Sequence, residues 1–254
     1  MIPKAIHQFH SGSAFGDAVT NGMLYTKTIL NELGFESKIY VEHVASALEN
    51  EIEHFSKYVS DENNILLLHH SMGHDLDEWI EKLNDKIVLV YHNITPETFF
   101  EKDSVFYNYS LKGRTQLELL KEKSIAAIGD SQLNVDELLS RGFDKDNLKV
   151  IPLLLDVDKI KSHEWNHDLY DKNSDTFNIV FIGRVAENKC QHEVIEIYNK
   201  FREKTNLKTK CFIVGGLSND NYESNLYDLI GKYDLSDEVI ITDKVSSEDL
   251  YSYY

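Results

Sequence analysis

Cysteine occurs only twice, at Cys190 and Cys211. Neither lies in a C-x-x-C or other metal-type spacing, and a reducing compartment is the simplest setting. Long apolar runs are missing too. No stretch approaches the roughly 18 apolar residues of a membrane span, and the start M-I-P-K-A-I-H-Q-F-H lacks the apolar region of a signal peptide. The composition therefore reads as cytoplasmic, and it leaves room for peripheral contact with the inner face of a membrane through a surface helix. Basic residues are few beside acidic ones, 26 against 43, for a net charge of −17. That balance argues against a nucleic-acid partner, because a phosphate backbone demands clustered Lys and Arg. A small anionic ligand stays compatible, since a local cationic pocket can exist in an acidic protein. Several motifs are absent as well. Without G-x-S-x-G, G-x-x-x-x-G-K-S/T, H-E-x-x-H or an EF-hand loop, the serine-hydrolase, P-loop and common metal classes drop out. Eleven histidines are present, but none falls in a recognised ligand spacing, so no metal is expected.

What remains is an α/β pattern. At 254 residues, 42% of them hydrophobic, the chain has room for two domains with buried cores. Strand candidates lie at residues 5–9, 37–41, 65–68, 87–91, 125–128 and 148–155. Helical spacing follows at 19–33, where Gly34 is a C-cap candidate, and again at 110–122; residues 44–59 also read as helical. Ser131 should cap a helix ending near Gly142. Residues 159–175 are polar and turn-rich and are expected to link a first domain, 1–158, to a second, 176–254. In the second, strands at 177–182, 209–214 and 239–242 alternate with helices from Val194, Asn221 and Ser246 or Ser247. The alternation predicts two doubly wound, mostly parallel sheets.

The most informative stretch is F-N-I-V-F-I-G-R-V-A-E-N-K, residues 177–189. Its strand ends at Gly183, and Arg184 and Lys189 fall in the turn that leads to a helix. Ligands of open α/β sheets sit at that edge. A guanidinium fork, an ammonium and helix N–H groups together suit a diphosphate; a solvated turn would carry the same residues. Two apolar strands of the first domain end in histidine, at His69–His70 and at His92. A histidine there can donate to a hydroxyl or a developing charge, or can serve structure.

Five stretches in order resemble one family. H-Q-F-H-S-G-S-A-F-G-D-A, Y-H-N-I-T-P-E-T-F-F, V-F-I-G-R-V-A-E-N-K, F-I-V-G-G and I-I-T-D-K-V-S-S-E-D-L-Y-S-Y-Y are similar to segments of the retaining GT-B glycosyltransferases of the family 4, group 1 type. The resemblance implies two Rossmann-like domains facing a cleft, with the second incomplete, because the family's E-x7-E segment would follow Tyr254. It implies transfer of a hexose from a UDP- or GDP-linked donor to a glycan or lipid-linked acceptor, without a metal cofactor. By that resemblance Gly16 approaches the donor diphosphate through its backbone and Arg184 and Lys189 neutralise it. His92 lies beside the sugar, Asp17 orients the loop or the acceptor, and Val245, Ser246 and Ser247 face the base. A sugar-nucleotide epimerase of the same architecture and a non-catalytic sugar-nucleotide binding module are the alternatives.

Overall fold

A computed structural model describes residues 3–217 and 221–254. The chain divides into two units, 1–156 and 157–254. The first is built from β1 (Ile6–Gly12), α1 (Ala18–Glu32), β2 (Ile39–His43), β3 (Ile52–His54), β4 (Ile65–His70), α2 (Asp77–Glu81), β5 (Lys86–Tyr91), α3 (Val105–Lys123), β6 (Ser124–Gly129), α4 (Gln132–Ser140) and β7 (Leu148–Val150). Its seven strands run in the order β3-β2-β1-β4-β5-β6-β7, with every pairing parallel. The chain winds outward from β1 to β3, returns to β4 beside β1, and winds outward again. Strand order therefore reverses between β1 and β4, which is where such sheets bind ligands.

The central strands are apolar because both faces are covered. Leu66, Leu68, Ile87, Leu89 and Tyr91 are buried together with Leu117 and Leu120 of α3 and Leu138 of α4. Met23 of α1 joins Ile39, Val41 and Ile52 in a second cluster. At this distance from solvent a Leu-to-Ala change would cost about 2–5 kcal/mol. One close contact fixes the loop after β4 against α3. A Cβ on Gly113 would come within 2.6 Å of the Gly73 backbone nitrogen, and one on Gly73 would meet the Tyr109 carbonyl oxygen at 2.5 Å.

The second unit comprises α5 (Val157–Ser162), α6 (His167–Asn173), β8 (Phe177–Ile182), α7 (Gln191–Arg202), β9 (Thr209–Val214), α8 (Asn221–Lys232), β10 (Val239–Ile241) and α9 (Ser247–Ser252). Its three strands are parallel in the order β10-β9-β8. Gln191, Ile195 and Tyr198 form one buried face of α7, and Tyr222, Leu226 and Ile230 one face of α8. These faces enclose a separate core with Val185, Ile213 and Val239.

Three expectations from the sequence are corrected. Residues 44–59 do not form a helix. Leu48 and Ile52 are buried at helical spacing, yet Leu48 lies in a single 3-10 turn and Ile52 pairs with Ile39 as the edge strand β3. Pairing to an open sheet edge outweighs a weak local preference. The strand expected over 148–155 ends at Val150. Its last ladder bond is Ile151 N–H to the Gly129 carbonyl at 3.0 Å, and Pro152 has no N–H with which to continue. Residues 159–175 are no open linker. They fold largely as α5 and α6, and Asn166 both caps α6 and donates its side-chain amide to Asp249 of α9 at 2.8 Å.

Gly113→Ala should force backbone apart at the Gly73 contact and lower stability by about 1–3 kcal/mol. Urea denaturation checks this; an unchanged midpoint would contradict the contact.

Candidate functional site

In the first unit the carboxyl ends of β1, β4, β5 and β6 gather polar side chains at the reversal of strand order. β1 carries the buried polar residues Gln8 and His10. His10 Nδ1 donates to the Gly12 carbonyl at 2.6 Å, and its Nε2 meets Ser71 Oγ, just past β4, at 2.9 Å. His69 Nε2 meets Gln8 Oε1 at 3.1 Å and its Nδ1 meets His92 Nε2 at 2.8 Å. The two imidazoles lie edge to edge with planes 7° apart and centroids 5.1 Å apart. His92 Nδ1 lies 2.7 Å from Asp130 Oδ2.

His92 stands at the end of β5, where the sequence put it, but its side chain is only 2% exposed. Both ring nitrogens are taken by neighbours, so it offers no free nitrogen to a sugar. Asp17 also has its carboxylate engaged: Oδ2 accepts from Thr20 N–H at 2.9 Å and from the Thr20 hydroxyl at 3.0 Å, capping α1. Gly16 precedes it at φ +82°, in open space. That exposed loop can bring backbone close to a ligand. Burial lowers the pKa of His10, against the bond to the Gly12 carbonyl; the nearby His92 lowers it further and Asp17 raises it.

In the second unit the turn after β8 is held from behind. Val185 is buried, and its N–H donates to the Gly216 carbonyl at 3.0 Å. Gln191, also buried, donates through Nε2 to the Arg184 carbonyl at 2.9 Å. Cys190 takes a left-handed φ of 54° and turns the chain into α7. The Arg184 and Lys189 side chains are exposed and neither pairs with a carboxylate among the described residues. Two exposed cations thus share one hydrogen-bonded turn beside a helix start, the kind of place at which N–H groups and positive charge suit an anion. Val245, Ser246 and Ser247 follow β10, two strands away. Ser246 Oγ caps α9 by accepting from Asp249 N–H at 3.1 Å. Asp243, at φ 60°, accepts from Leu217 N–H at 3.0 Å and ties this segment to the end of β9. A recess of this unit, about 460 Å³ and lined by Tyr170, Asn173, Phe212 and Tyr253 among others, includes none of these residues.

Asp130, Gln8 and Ser71 were not singled out from the sequence. Signals for them exist. Asp130 follows β6 as His92 follows β5, and Gln8 is a polar residue in the middle of a central strand. No group of three or more metal-type side chains converges among the described residues, and no described helix is long and apolar enough to cross a membrane.

With that geometry in place, comparison with known proteins becomes informative. Residues 164–254 match the model of the glycosyl transferases group 1 family. The matched part holds the cationic turn, α7 and the segment after β10. Among curated proteins no relative matches the chain. Similar solved structures include HepE of Anabaena in complex with UDP, at 14% identity and a TM-score of 0.64, with 98% of this chain and 71% of that one covered. A glycosyltransferase from Rickettsia africae is similar at 16% identity and a TM-score of 0.69, covering 98% and 70%. A putative UDP-N-acetylglucosamine 2-epimerase from Listeria monocytogenes is similar at 10% identity and a TM-score of 0.61, covering 99% and 72%. Identities this low bear on the fold, which is the two-unit α/β fold of GT-B enzymes.

Burial disfavours the charged form of five histidines of the first unit, His7 among them. Desolvation lowers His10 and takes His69 well below its usual value; it pushes His70 down to about 3 and His74 to about 4. An unfolded histidine titrates near 6.5. Below that pH the unfolded chain binds protons that the folded rings refuse, so stability falls as pH drops, by up to about 1.4 kcal/mol per pH unit each for His70 and His74. For His70 and His74 the loss continues down to their folded values. Thermal melts from about pH 7 to about pH 5 should show a falling midpoint for the first unit; a flat midpoint would contradict burial of neutral rings.

Proposed function

We propose that the protein is a retaining glycosyltransferase that moves a hexose from a UDP- or GDP-linked donor to a glycan or lipid-linked acceptor, as in polysaccharide biosynthesis. The observation that carries this reading is the rigid turn bearing Arg184 and Lys189 at a strand's carboxyl end, inside the segment that matches the glycosyl transferases group 1 model. HepE, solved with UDP, supports the donor class.

In this reading Arg184 and Lys189 neutralise the donor diphosphate. As the glycosidic bond breaks, negative charge grows on the departing nucleoside diphosphate, and preorganised cations stabilise it more in the transition state than in the ground state. Charge-assisted bonds of this kind contribute about 1.5–3 kcal/mol each. That is enough for two side chains to take the place of a divalent metal, and the reaction is metal-independent. Val245, Ser246 and Ser247 face the base through their backbone, and the Gly16 loop approaches the diphosphate. Asp17 shapes that loop by capping α1. His92 lies beside the sugar as part of a bonded histidine pair. The first unit carries the acceptor surface, and the enzyme works in the cytoplasm, at the inner membrane face when its acceptor is lipid-linked.

The likeness to a putative UDP-N-acetylglucosamine 2-epimerase supports a second reading, epimerisation of a sugar nucleotide on the same fold. Product analysis separates the two: transfer needs an acceptor and releases nucleoside diphosphate, whereas epimerisation needs none and keeps the nucleotide attached. A non-catalytic sugar-nucleotide binding module would bind donor and yield neither product.

Replacing Arg184 and Lys189 together by Ala should weaken UDP- or GDP-sugar binding at least about tenfold, as measured by calorimetry. Unchanged affinity would remove the diphosphate assignment.

A further inference from the structure

A continuous hydrogen-bonded chain crosses the first sheet from the carbonyl of Met23 through Gln8, His69 and His92 to Asp130, with steps of 2.9, 3.1, 2.8 and 2.7 Å. The direction of every step follows from its first link. Gln8 donates its side-chain N–H to the Met23 carbonyl, so its Oε1 faces His69; the reversed amide would set two oxygens against each other. His69 Nε2 must then carry a proton. His69 is buried and held neutral by desolvation and by the nearby His92 and His10 rings, which leaves its Nδ1 as a bare acceptor. The partner at Nδ1 is His92 Nε2, so that nitrogen is the donor. On the other side of the His92 ring, Nδ1 faces the carboxylate of Asp130, and a carboxylate only accepts.

Both nitrogens of His92 therefore hold protons. We propose that Asp130, His69 and Gln8 are positioning residues that hold His92 as a doubly protonated, fixed cation at the carboxyl edge of the first sheet, not as a ring with a nitrogen free to bind or deprotonate a ligand. The groups facing this charge are His10 from β1, His69 and His70 from β4, and Asp130 beyond β6. Only Asp130 supplies a balancing negative charge among these, and at 25% side-chain exposure it remains in touch with water while His92 does not. The bonds to His69 and Asp130 at opposite nitrogens hold the imidazolium ring in one orientation. As a cation it cannot act as a general base. What it offers is a fixed positive charge at the end of β5, able to favour an anionic group and to disfavour a cationic one in its surroundings. Any effect of that charge on catalysis rests on the transfer reading above; its protonation does not.

Selective ¹⁵N labelling of histidine in the whole chain, read by long-range proton–nitrogen correlation at neutral pH, tests this directly. His92 should show two protonated nitrogens, and His69 a proton on Nε2 with Nδ1 bare. In Asp130→Asn the Nδ1 proton of His92 should be lost while that on Nε2 stays. In Gln8→Leu the anchor is gone and His69 should lose its fixed tautomer. A bare ring nitrogen on His92 in the unaltered protein would overturn the proposal, and so would an Asp130→Asn spectrum in which His92 keeps both protons. If the variants fail to fold, the spectrum of the unaltered chain decides by itself. Failure of the transfer reading would appear instead in donor calorimetry and product analysis, and would leave these spectra unchanged.

Discussion

Parallel pairing of β1 with β2 on one side and β4 on the other is the constraint on which the first unit depends. It forces the chain to reverse its direction of winding at the centre of the sheet, and the loops that leave β1 and β4 diverge from that point. Side chains at the strand ends there are surrounded by protein yet close to a surface. Such a place can bury polar groups only if they satisfy one another. The sequence meets much of the requirement with histidine, whose two nitrogens can each be donor or acceptor, and with Gln8 and Ser71 at the ends of the bonded runs, although His70 Nδ1 and His74 Nε2 stay buried without a hydrogen-bond partner among the described residues.

The second unit solves a different problem on a smaller sheet. An exposed pair of cations is useful to an anion only if the backbone that carries them is already in place, since ordering a loop on binding would consume the gain. Gln191 and Gly216 supply that order, one bonding the carbonyl of Arg184 and the other the N–H of Val185. The unit thus has a fixed backbone and free side chains at the turn.

Much of this was legible in the residues. Apolar runs such as I-V-L-V-Y and F-N-I-V-F-I named the buried strands, and Ser131 and Ser246 cap their helices as expected. Short-range signals sufficed because both neighbours and caps lie within a few positions. What was not legible depended on partners far along the chain. Ile52 became a strand because Ile39 offered an edge. Asp17 and His92 were placed correctly on their elements, yet the direction of their side chains depended on Thr20, His69 and Asp130. A resemblance assigns a role to a position, whereas hydrogen-bond partners decide what the side chain at that position is free to do. The segment 159–175 shows the same limit from the other side, because polar composition says nothing of an Asn166–Asp249 tie 83 residues long.

The near absence of cysteine has a practical side. Cys211 is buried in β9 and its thiol is pushed up to about 12 by desolvation, so it is unreactive at neutral pH. Cys190 is partly exposed and sits between Lys189 and the first residue of α7. Nature has therefore left the molecule a single addressable thiol at its cationic turn. A small fluorophore attached there would report the arrival of an anion at that turn, without any residue having been changed.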